Sequence, residues 1–131
     1  MSRLFRLVSV FAICLASALG PGCIESDQSE HEVEIWGRRG IEDGRFQKPR
    51  AIAVDASNHL YIVDMTGRIQ VFDEKFNLVN AWRTPEIRMG KPCGMTVAND
   101  GTLMVADTHY HRILFYDIQG NLDESRTIGG R

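Results

Sequence analysis

The chain has little of several things, and each shortage excludes something. Its 131 residues carry 15 Lys and Arg against 17 Asp and Glu, a formal net charge of −2. There is no excess of positive charge, and therefore no compositional signature of nucleic-acid binding. Three cysteines are too few for a disulfide framework. Long apolar runs are absent save one, Leu7 to Leu19, which is too short to span a bilayer comfortably. No Gly-x-Ser-x-Gly elbow and no phosphate-cradling glycine loop occurs. What remains is 44% hydrophobic and 24% charged, the composition of a globular protein rather than a disordered one.

The single apolar run sits at the N-terminus behind Arg3 and Arg6 and is followed by an acidic stretch from Glu25 to Glu34. This is the layout of a signal peptide over 1–22, so the chain is expected to be exported. Without it, 13 basic and 17 acidic residues remain, a mildly acidic total that argues against a phosphate-binding face. Ala16-Ser17-Ala18 offers one cleavage site. Gly20-Pro21-Gly22-Cys23 resembles a bacterial lipobox, with Gly20 where Leu is usual. Lipidation of Cys23, a polar tether over 23–32 and a location that is periplasmic or membrane-anchored as a lipoprotein are the expectation. Cys14 would leave with the signal peptide, so Cys23 and Cys93 remain, either joined by a disulfide or, with Cys23 acylated, leaving Cys93 a single thiol.

The rest of the chain repeats itself. Lys48-Pro49-Arg50-Ala51-Ile52-Ala53-Val54 aligns with Lys91-Pro92-Cys93-Gly94-Met95-Thr96-Val97, and Leu60 to Asp64 with Leu103 to Asp107, both 43 residues on. Arg68 to Asp73 aligns with Arg112 to Asp117 one residue further apart. Each copy reads as four short strands between turn-forming residues: about 51–55, 59–63, 68–73 and 78–83, then about 94–98, 102–106, 112–117 and 124–129. Asn99-Asp100-Gly101 is a hairpin signal because Gly accepts a positive φ. A four-stranded meander repeated at this spacing is the pattern of a propeller blade.

The runs Gly44-Arg45-Phe46-Gln47-Lys48-Pro49, Ile52-Ala53-Val54-Asp55, Leu60-Tyr61-Ile62-Val63-Asp64 and Arg68-Ile69-Gln70-Val71-Phe72-Asp73 together resemble the NHL repeat. The second copy does so through Val105-Ala106-Asp107-Thr108 and Arg112-Ile113. The resemblance covers roughly 33–131 and implies an all-β partial propeller of two four-stranded antiparallel blades, about 44–83 and about 90–129. Val33 to Gly37 is expected to form an orphan outer strand, and Trp36 and Trp82, 46 apart, to be packing residues. NHL propellers usually close about six blades, so two copies imply a fragment or remnant of a longer protein, an assembly of copies completing a ring, or an open arc.

The candidate site residues are few. Asp64 with Arg68, and Asp107 with Arg112, recur once per blade, which points to structural pairs. His109 and His111 form a His-x-His pair that could hold a ligand or metal, but no carboxylates converge on it in sequence, and metal and cofactor are expected to be absent. Cys93 follows Pro92 at the entrance to an inner strand, where a bend-filling role weighs against a nucleophilic one. The resemblance implies a binding or scaffold module for a protein or small ligand, with no catalytic residue. The alternative it implies is a metal-dependent propeller enzyme of lyase or lactonase type.

Overall fold

A computed structural model describes residues 33–130. The expected signal peptide, the tether with Cys23, and Arg131 lie outside the described residues. From Glu34 onward the chain forms one compact unit. It contains two antiparallel meanders. The first is β1 (Pro49–Val54), β2 (Leu60–Asp64), β3 (Arg68–Phe72) and β4 (Leu78–Arg83); the second is β5 (Gly94–Val97), β6 (Leu103–Asp107), β7 (Arg112–Tyr116) and β8 (Ile128–Gly129). Each sheet follows sequence order, as short turns dictate.

Local chemistry sets those turns. Between β1 and β2, the Asp55 carboxylate accepts the N–H groups of Ser57 and His59 at 2.8 and 2.9 Å, and Asn58 takes a left-handed φ of 61°. Between β5 and β6, Asp100 accepts the Thr102 N–H at 3.0 Å and Gly101 supplies the positive φ. The third turn is the same in both copies. Asp73 caps Lys75 and Asn77, and Asp117 caps Gln119 and Asn121.

Strand register then puts apolar side chains in rows. Ala53, Tyr61 and Val71 stand side by side across blade 1, with Val63 and Ile69 in the adjoining row. Blade 2 presents Leu103, Val105, Leu114 and Tyr116, and the two sets form one core. Trp82 packs between the blades, 6.5 Å from the Tyr61 ring and 5.8 Å from the Tyr116 ring. The innermost strands β1 and β5 lie side by side without sharing a ladder. Blade 1 is thus buried on the face toward blade 2, and all five residues of β3 are buried.

Two expected elements differ. The outer strand of blade 2, expected over 124–129, is reduced to Ile128–Gly129. Asp123 diverts the chain: its carboxylate accepts the N–H and hydroxyl of Ser125, drawing 123–126 into a turn instead of an extended ladder. Residues 33–37 join no ladder, because no described strand lies beside them to pair their backbone. The side chain within that segment still occupies the repeat position. Trp36 stacks on Phe76 at 4.6 Å and meets Phe72 edge-on at 4.9 Å, as Trp82 meets blade 2.

Candidate functional site

Antiparallel meanders place alternate turns at opposite ends. The β2–β3 and β6–β7 turns, with the linkers entering β1 and β5, lie at one end; the β1–β2, β3–β4 and β5–β6 turns lie at the other. Most residues singled out in the sequence fall at the first end.

There the two Asp/Arg pairs are built differently. Asp64 is fully buried and accepts the Gln47 N–H at 3.0 Å, the Thr66 N–H at 2.8 Å and the Thr66 hydroxyl at 2.6 Å. Arg68 is turned to backbone carbonyls, donating to Ile41 at 2.6 Å and to Arg45 at 2.7 Å, and comes only within 3.5 Å of Asp64. Asp107 is equally buried, but Arg112 binds it directly, its Nε donating at 3.0 Å. The second Asp107 oxygen has no partner among the described residues.

His109 and His111 are not brought together with other ligands. His109 lies in a short 3-10 turn (Thr108–Tyr110) beside Gly90, and His111 takes a left-handed φ of 53° that closes the turn. Among the described residues no three His, Cys, Asp or Glu side chains converge. Cys93 is exposed, with its sulfur 3.5 Å from the Thr108 hydroxyl.

The other end holds a site the sequence reading passed over. A cleft of about 760 Å³ opens between the blades, walled by Val54, Val79, Val97 and Ile118. That volume falls within the range of small-molecule sites. His59 lines it, and its Nδ1 sits 2.9 Å from Asp55 Oδ2, which also accepts the Tyr61 hydroxyl at 3.1 Å. Desolvation pushes the Asp55 carboxyl upward, but the backbone and side-chain hydrogen bonds from His59, with those from Ser57 and Tyr61, outweigh it and hold the group below its ordinary value. The Tyr61 hydroxyl is pushed up to about 12 by burial and by the neighbouring Asp55 charge. In the neutral imidazole, an anionic Asp55 favours the tautomer with the proton on Nδ1, which leaves Nε2 as a hydrogen-bond acceptor. Blade 2 has Ala98, Thr102 and Met104 at the matching positions and cannot build this arrangement. The available sequence signal was that a turn repeated in the chain carries His in one copy and Thr in the other.

No family model and no curated protein matches the sequence. Among solved structures, virginiamycin B lyase from Staphylococcus aureus is similar over 62% of this chain, at 20% identity and a TM-score of 0.52. A streptogramin B lyase is similar over the same share at 15% identity and a TM-score of 0.53. This chain covers 26% of the length of each. Both are β-propeller proteins, and the likeness shows the fold: the two meanders are blades of propeller type.

Proposed function

We propose that this chain is an exported NHL-type propeller module that binds a small amphiphilic molecule in the cleft between its blades. The observation that carries this reading is the cleft itself, with aliphatic walls and one imidazole oriented by a partly buried carboxylate. Such a site takes an apolar body with a hydroxyl or N–H at one end, which donates to His59 Nε2. Arg3, Arg6 and the apolar run Leu7 to Leu19 support export, and Gly22-Cys23 supports lipid anchoring.

The test is a methyl NMR titration with p-cresol. Saturable shifts are expected at Val54, Val97 and Ile118. In His59→Phe the affinity should fall by about fivefold, the worth of one hydrogen bond near 1 kcal/mol. Absence of saturation, or equal affinity in the variant, would overturn the reading. A second reading, a propeller lyase, is favoured by the names of the two similar structures. Stoichiometric metal in the purified chain, with turnover of virginiamycin B, would replace binding with catalysis.

A further inference from the structure

The two ends of the meanders also differ in charge. Ahead of β1, Arg38, Arg39 and Lys48 surround a shallow cleft of about 460 Å³ that contains Trp36 and Phe46 and no acidic residue. The cations continue toward blade 2. Arg50 donates to the Pro92 carbonyl at 3.2 Å, Arg83 to the Thr66 carbonyl at 3.0 Å, and Arg88 and Lys91 lie in the linker between the blades. Among the described residues, none of these seven has a carboxylate oxygen within 4.0 Å. Three acids of the two linkers are already engaged: Glu42 with Arg45, Asp43 with Arg68, and Glu86 with Arg112. The opposite end carries Asp55, Asp73, Asp100, Asp117 and Asp123, each bonded into its own turn. The net charge of the chain averages over this separation and conceals it.

We propose that the positive end docks an acidic protein segment in which Asp or Glu alternates with apolar residues. Five of the seven cations are arginines, whose planar forks pair two-pronged with carboxylates. Ile41 and Met89, in the same two linkers, are 63% and 65% exposed and offer apolar contacts that a phosphate backbone does not use. A surface rich in Arg with interspersed apolar residues including Met has the composition of a protein interface. This face is distinct from the inter-blade cleft, so either reading stands without the other.

The test uses the purified full-length chain and a fluorescein-labelled peptide of alternating Glu and Leu, read by anisotropy. Saturable binding that weakens with added salt is expected, since the contacts are exposed charges. A peptide with Gln in place of Glu should not bind. The double variant R39E/R88E should lose at least about tenfold in affinity. Both side chains are exposed and make no hydrogen bond among the described residues, so the fold should persist, and a thermal melt checks it. K75E, at the opposite end, should bind as the parent does. The proposal fails if the Gln peptide binds as well as the Glu peptide or if charge reversal changes nothing. It also fails if oligothymidylate or phosphatidylglycerol vesicles bind more tightly than the peptide.

Discussion

Blade 1 and blade 2 carry the same Asp and Arg at corresponding positions and use them in opposite ways. In blade 1 the carboxylate and the guanidinium are each satisfied mainly by backbone, and they touch each other only at 3.5 Å. In blade 2 the pair is direct, at 2.9–3.0 Å, with Glu86 added at 2.9 Å and the Tyr110 ring 4.9 Å below the guanidinium. The difference comes from the linker. Between Gly37 and Pro49 the chain has eleven residues, enough to wrap carbonyls around Arg68; between Arg83 and Pro92 it has eight. The shorter linker supplies one side chain, Glu86, where the longer one supplies two carbonyls besides the exposed Asp43 side chain. An identical pair in a repeat therefore does not mean an identical interaction.

The largest effect should come from breaking this contrast at its more buried member. Asp64→Ala leaves Arg68 buried, its guanidinium without a nearby buried counter-charge, and strands the Gln47 and Thr66 donors. The expected loss is about 3–5 kcal/mol, read from the urea midpoint. Asp107→Ala should cost about 2 kcal/mol, because Arg112 is partly exposed and keeps Glu86. Equal losses would mean that the two pairs are energetically the same despite their geometry.

The tryptophans sharpen the comparison next. Trp82 packs between the two blades, whereas Trp36 covers only the rim of blade 1. Trp82→Ala should cost about 3–5 kcal/mol and Trp36→Ala about 2 kcal/mol, from thermal or urea unfolding. A larger loss at Trp36 would assign the segment before blade 1 a greater part in holding the fold than its missing ladder suggests.

These features were unequally legible. The meanders, their turns and the repeat offset followed from residues such as Asp73 with Asn77 and Asp117 with Asn121, where the signal and its hydrogen bonds lie within a few positions of each other. The pairing of Asp64 with Gln47, or of Arg68 with the Ile41 carbonyl, depends on how a linker folds back, and no local pattern announces it. The same holds for His59. Its partner Asp55 is four residues away, but the cleft needs Val97 and Ile118 from the other blade. The charged ends were invisible because alternate turns share an end only once strand order is known.

Acid should separate the blades at Asp55, which has no counterpart in blade 2. Its folded pKa lies below the ordinary carboxylate value, so its contribution to stability is present above about pH 4 and is lost as pH falls through the folded pKa. The stability gap between the parent chain and Asp55→Asn should therefore be full at neutral pH and shrink in the acid range. Paired urea titrations across that range measure it. A constant gap would mean that Asp55 contributes through shape and not through charge.

The smallest effect is also a direct exchange between copies. Phe76 and Gly120 occupy the same turn position, both left-handed, at φ of 61° and 88°. Phe76 tolerates that conformation because its ring stacks on Trp36. Gly120 lies flat under Trp82, where a Cβ would come within 2.5 Å of the indole. Phe76→Gly relieves left-handed strain of about 1 kcal/mol and loses a stack of similar worth, so its unfolding midpoint should barely move. Gly120→Ala adds the strain and must also displace Trp82 from the blade interface, so it should destabilise by about 1–3 kcal/mol. If both substitutions were neutral, the indole of Trp82 would not be wedged against this turn, and the contrast between an open rim at blade 1 and a packed junction at blade 2 would fail at its closest contact.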